Sequence, residues 1–151
     1  MEVETFLTDN NVKYEVHTHA QTFTSQGLAS VEHITGHAVA KPVVVRGPAG
    51  FSMCVIPAPK HLDLHRVAKV LGEPEARLAT ESEMAAVFKD CELGAEPPIG
   101  ALYGLRTVID EQLRGSKHLT IQAGSHSKSI KLSGADFERV CKGQFARIAD
   151  S

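Results

Sequence analysis

Residues 41–57 read KPVVVRGPAGFSMCVIP, and this stretch decides the fold. Lys41–Gly47 and Phe51–Pro57 are both rich in Val, Ile and other residues that suit a pleated surface. Between them lies Gly47-Pro48-Ala49-Gly50, whose glycines and proline favour a tight reversal. The pair therefore predicts a β-hairpin. Its first strand is apolar enough to be a buried central strand, with a lysine at its head.

Working outward, Tyr14–His19 alternates as a strand does. Val3, Phe6 and Leu7 predict a short amphipathic helix ending near Asn10 and Asn11. Thr24 or Ser25 suits the cap of a second helix that carries Leu28, Val31 and Ile34 and stops at Gly36. Downstream, Asp63 caps a helix with Leu64, Val67, Ala68 and Leu71 on one face, ended by Gly72. Thr80 and Glu83 form a capping-box pattern, with Met84, Val87, Phe88 and Cys91 following as one apolar stripe. Residues 105–110, 118–124 and 127–133 read as three strands. Ser133 and Asp136 open a last helix with Phe137, Val140 and Cys141, closed by Gly143. Residues 145–150 suit a final short strand. Clustered strands and hairpin spacings argue against a simple βαβ array, so the expectation is an α+β domain with a mixed, curved sheet.

Composition bounds the function. The chain has 151 residues, with 42% hydrophobic and 23% charged, which suits one domain over residues 1–151. A formal net charge of -2 does not favour a general DNA-binding protein. The N-terminal stretch does not read as a signal peptide, no apolar run reaches membrane-spanning length, and the three cysteines lack metal-like spacing. The expected location is cytoplasmic, with no membrane partner.

Several residues carry chemistry and each has a plain structural alternative. His33 and His37 are four apart, as are His61 and His65, a spacing that suits metal ligands on a helix. Gly36 and the Asp63 cap interrupt both helices, HExxH is absent, and surface histidines explain them as well. Cys91 is read as a buried, inert thiol on its helical stripe rather than a nucleophile. Ser125 and His126 are adjacent, so on a strand they point to opposite faces. His126 either lines a pocket or is solvated. Glu81 and Glu83 suit a helix start, and Glu92 and Glu96 a solvated loop edge. Lys41 either snorkels out at the sheet edge or faces a pocket with an anionic ligand.

The loop Cys91–Gly100, CELGAEPPIG, is the oddest stretch. Pro97 and Pro98 exclude a helix interior or a central strand. Gly94 permits close backbone approach, while the prolines pre-order the loop. On this reading the N–H groups of Gly94, Ala95 and Glu96 stay free for a ligand. A tight helix-to-strand connection uses the same residues.

Three segments together, HAVAKPVVVR (37–46), GAEPPIG (94–100) and AGSHSKSIKL (123–132), resemble the YbaK family. These are free-standing aminoacyl-tRNA deacylases similar to the editing domain inserted in bacterial prolyl-tRNA synthetases. Lys41 matches the family lysine that opens a hydrophobic strand, and Gly94 to Pro98 matches its Gly-x-x-x-Pro loop. The resemblance implies a barrel-like mixed sheet flanked by helices. It implies hydrolysis of the ester of a mischarged tRNA, most often tRNA for proline, with alanine the first expectation. Lys41, Gly94 and Pro98 are then the catalytic set, and Ala95, Glu96, Pro97, Gly124, Ser125 and His126 the substrate-binding set. Neither metal, cofactor nor side-chain nucleophile is implied. The implied partner is the tRNA acceptor end, with Arg46, Lys60 or Arg106 as further basic contacts and a synthetase as an open second partner. A non-catalytic nucleotide or aminoacyl-tRNA binding module and a histidine-based metal hydrolase are the alternatives.

Overall fold

The computed structural model describes residues 2–19, 27–29 and 36–150. The expected hairpin is present as β2 (Ala40–Gly47) and β3 (Gly50–Pro57), paired with Lys41 opposite Ile56 and Gly47 opposite Gly50. Gly50 closes the turn at φ 129, a conformation that side chains with a Cβ rarely adopt. Before the hairpin lie α1 (Val3–Asp9) and β1 (Tyr14–Thr18). After it come β4 (His61–Leu62), α2 (Leu64–Leu71), β5 (Arg77–Leu78) and α3 (Glu81–Val87). The chain then forms β6 (Arg106–Asp110), β7 (His118–Gln122), β8 (Lys128–Ser133) and α4 (Gly134–Cys141). It ends with β9 (Gln144–Ala146) and β10 (Ala149–Asp150).

Five strands form one sheet in the order β5-β2-β3-β6-β9. The hairpin within it is antiparallel, whereas β3–β6 and β6–β9 are parallel. A parallel neighbour needs a long crossover, and β4, α2, β5, α3 and the proline loop together supply it between β3 and β6. A second sheet, β1-β8-β7, is antiparallel throughout. A parallel bridge from Val39 to Thr120 joins the two sheets. The sheet is thus mixed as expected, and among the described residues the two sheets, linked by this one bridge, do not close into a barrel.

Period-2 alternation sets the core. Ala40, Val44, Met53, Val55 and Ile109 of the first sheet meet Leu119, Ile121, Ile130 and Leu132 of the second, with Phe137 and Val140 of α4 between them. The other face of the five-stranded sheet packs Val45, Cys54, Ile56 and Val108 against Val67 of α2 and Ile148.

The helix caps form as read. The Asp63 carboxylate accepts from the His65 and Arg66 N–H groups, and Gly72 ends α2 at φ 71. Thr80 and Glu83 close a reciprocal capping box, and Ser133 accepts from the Asp136 N–H. Three readings need correction. The α3 helix stops at Val87, so Cys91 lies beyond it and does not continue its stripe. Residues 145–150 form parts of two strands, broken where the Ile148 and Ala149 N–H groups turn to the Asp110 carboxylate. The helix expected from Thr24 to Gly36 falls mostly outside the described residues. Residues 27–29 are helical, and Gly36 starts a 3-10 turn, Gly36–Ala38.

Candidate active site

The proline loop is fastened to the turn after β7. The Glu92 N–H donates to the Gly124 carbonyl, and the Gly124 N–H donates to the Ala95 carbonyl, each at 2.8 Å. Gly124 has φ 90 and Gly94 φ 88, left-handed geometry that suits glycine at both positions. Gly94 is exposed, and the chain from Ala95 through Pro97 and Pro98 to Gly100 is buried. The loop is therefore rigid where it enters the protein and bare at Gly94.

Two N–H groups expected to be free are engaged. The Gly94 N–H donates to Glu96 Oε2 at 2.9 Å, and the Ala95 N–H to the Glu92 carbonyl at 3.0 Å. Glu96 is not a solvated edge residue. Only 4% exposed, it curls back as a clamp that holds the glycine turn. A buried carboxylate needs such donors to offset its lost hydration. Among the described residues, the Glu96 N–H is the one donor of the Gly94–Pro98 stretch that makes no hydrogen bond.

His126 is buried, not solvated. Its Nε2 lies 2.7 Å from the Leu93 carbonyl, and its backbone N–H donates to Glu92 Oε2 at 3.4 Å. A carbonyl only accepts, so Nε2 carries the proton in that contact. Ser125 does not pair with His126. Its hydroxyl lies 3.0 Å from that of Ser127 instead. Gly94 to Pro98 and Gly124 to His126 thus form one hydrogen-bonded unit.

Lys41 stands near the start of β2, two residues beyond Val39. Its Nζ donates to the carbonyls of Ala58 and Lys60, each at 3.2 Å. Burial holds its pKa below the usual lysine value. The half-buried ammonium neither snorkels to open water nor lacks protein partners. Two of its three protons are directed by the 58–60 turn, which orients the third. The parallel Val39–Thr120 bridge runs β2 alongside β7, so Lys41 and the end of β7 lie side by side.

The other basic residues divide. Arg46 stacks over Phe51 at 4.7 Å and lies 3.8 Å from Glu83. Arg106 donates to the carbonyls of Val70 and Leu71 and to Gln144 Oε1. Both serve the fold, and Arg46 is five residues along β2 from Lys41, about 16 Å away. Lys60 and Arg147, the latter a residue the sequence reading missed, line a cavity of about 260 Å³ together with Glu111 and Asp150.

Cys91 sits in a turn, with its sulfur 3.1 Å from the Tyr103 hydroxyl. Burial first, and then the neighbouring Asp90 carboxylate, push its thiol up to about 11 despite the opposing Tyr103 bond. A thiolate is the reactive form. Iodoacetamide is therefore expected to label Cys91 very slowly at pH 8, with the rate climbing toward pH 11. Mass spectrometry of timed samples checks this, and fast labelling at pH 8 contradicts it. Among the described residues no three His, Cys, Asp or Glu side chains converge on a metal-sized site, and no helix is long and apolar enough to cross a membrane. His33 lies outside the described residues.

The comparisons agree with this architecture. The chain is similar over its whole length to the hypothetical protein APE2540, with a TM-score of 0.89 at 20% identity, covering 99% of this chain and 100% of that one. A candidate trans-editing enzyme for prolyl tRNA synthetase superposes with a TM-score of 0.84 at 21% identity, covering 99% and 95%. A signal transduction protein from Marinobacter aquaeolei VT8 carries the same fold in 30% of its length, with a TM-score of 0.78 at 19% identity over 99% of this chain. At such identities the likeness shows the fold. The sequence itself matches the aminoacyl-tRNA editing domain over residues 19–140, most of the chain, and the protein belongs to that family.

Proposed function

We propose that this protein is an aminoacyl-tRNA deacylase that hydrolyses the ester of a mischarged tRNA in trans, with a small amino acid such as alanine on tRNA for proline as its substrate. The observation that carries this reading is the clamped unit of Gly94–Pro98 and Gly124–His126 beside the half-buried ammonium of Lys41. Family membership supports the editing activity. The similar structure described as a candidate trans-editing enzyme for prolyl tRNA synthetase supports the choice of tRNA.

The chemistry needs little machinery, because an aminoacyl ester is already activated. Water adds to the ester carbonyl, the carbon–oxygen bond to the ribose breaks, and the departing ribose oxygen takes a proton. Rigid backbone donors that meet the developing oxyanion, with the ester held in place, supply several kcal/mol of the required stabilisation. In this loop the unspent donor is the Glu96 N–H. Gly94 leaves room for the aminoacyl group, and the third proton of Lys41 is available to a phosphate or hydroxyl of the terminal adenosine. His126, tied to Leu93, shapes the wall that meets the amino-acid side chain.

The experiment is a deacylation panel with tRNA for proline charged with alanine, cysteine or proline. Fast release of alanine with proline spared is the expected result. Binding of every charged tRNA without release of any amino acid would instead favour a binding module.

A further inference from the structure

Gln122 is explained by neither the loop nor the lysine. It ends β7, two residues before Gly124, and its side chain is 3% exposed. Its amide Nε2 is sealed from solvent and meets no acceptor among the described residues. Glutamine is mostly a surface residue, and buried amide donors are nearly always paired. An orphaned one asks for a missing partner.

Its placement says where that partner belongs. Leu119 and Ile121 of β7 face the first core, so Gln122 stands on the opposite face with Thr120. Directly across on that face are Ser129 of β8 and then His17 of β1, a polar row in a sheet whose other face carries Leu119, Ile121, Ile130 and Leu132. The parallel bridge pairs Val39 with Thr120. Two residues further along each chain come Lys41 and Gln122, on the same face of neighbouring segments. Two residues further still, Gly124 is bonded to the proline loop at Ala95. By register, Gln122 therefore sits beside Lys41 on β7 and two residues before the turn that holds the loop.

We propose that Gln122 is a substrate-contacting residue whose buried amide donates to an oxygen of the aminoacyl-adenosine end. That oxygen is either the ester carbonyl or the ribose 2′-hydroxyl beside it. The proposal rests on the deacylase reading above. On binding, the amide turns about its terminal torsion to meet the ligand, and a donor otherwise unpaired rewards an acceptor at that point and rejects a ligand without one.

The test uses Gln122→Met and Gln122→Leu in the full chain, followed by melting temperature, kcat/KM on the edited tRNA, and binding of two stable 3′-amide analogues of aminoacyl-adenosine, one with the 2′-hydroxyl and one without. Removing an unpaired donor should leave Tm unchanged or raised. Losing its substrate bond should lower kcat/KM at least about tenfold and weaken analogue binding similarly. Weakening of both analogues assigns the carbonyl, and weakening confined to the hydroxyl-bearing one assigns the ribose. Unchanged kcat/KM and binding in the variants overturn the proposal while leaving the deacylase reading intact. A fall in Tm of several degrees also overturns it, since that marks a structural amide. If the wild type neither hydrolyses the esters nor binds either analogue, the deacylase reading itself fails and this proposal with it.

Discussion

Asp110→Ala is expected to be strongly destabilising. Asp110 is fully buried at the end of β6. Its Oδ1 accepts from the Ile148 and Ala149 N–H groups, and its Oδ2 from the Gln112 N–H, all at 3.0 Å. One carboxylate thereby ties the chain's last strand, β10, to the central sheet and caps the 3-10 turn Glu111–Leu113. Alanine leaves three backbone donors without that acceptor, at about 1–3 kcal/mol each where water cannot replace it. The expected loss is roughly 3–5 kcal/mol, or a fall in Tm of about 10 °C or more. Thermal melting followed by circular dichroism measures it. A fall of only a degree or two would mean that the C-terminal segment contributes little to the folded state.

Lys41→Ala is expected to reduce kcat/KM for deacylation by about 10- to 100-fold, the size of a lost charge-assisted hydrogen bond. The structure adds a second consequence. Because Lys41 holds the Ala58 and Lys60 carbonyls, its loss frees the 58–60 turn, so stability should fall by about 1 kcal/mol as well. Lys41→Met separates the two effects. It keeps the aliphatic stem among its apolar neighbours but removes the ammonium, so activity should fall as far while more stability is retained. Steady-state kinetics on the mischarged tRNA, with melting curves on the same samples, read both. Near-normal turnover in a folded Lys41→Met variant would remove Lys41 from the active site.

Gly100 shows why glycine positions in the proline loop are not equivalent. A Cβ there would overlap the Thr107 hydroxyl and press on the Leu105 carbonyl at 2.9 Å, so it is held by packing. Gly94 is exposed with φ 88, so it is held by its backbone conformation. The same residue type thus answers to two different constraints.

Local chemistry was legible from the sequence because its causes lie within a few residues. The capping box at Thr80 and Glu83, the Asp63 cap and the Gly72 stop each depend on groups no more than about one or two turns apart. The hairpin at residues 41–57 depends on β-branched runs and a short glycine–proline turn, both local. Lys41 at the head of an apolar strand, and glycine beside paired prolines, were visible as anomalies for the same reason. Partners distant in sequence were decided only by the tertiary structure. The parallel pairing of β3 with β6 joins residues 54 apart, such as Ser52 and Arg106, that no periodicity connects. Glu96 looked like a solvated loop acid, and only packing buried it and turned it onto the Gly94 N–H. Cys91 seemed to continue a helical stripe that ends at Val87, since a helix boundary depends on what its last turn packs against. That Arg46 and Arg106, read as basic contacts for tRNA, also hold Phe51, Glu83 and the end of α2 was decided by packing. Arg147, Asp110 and Gln122 gave no sequence signal, because a buried hydrogen bond, or the want of one, is a property of the assembled chain.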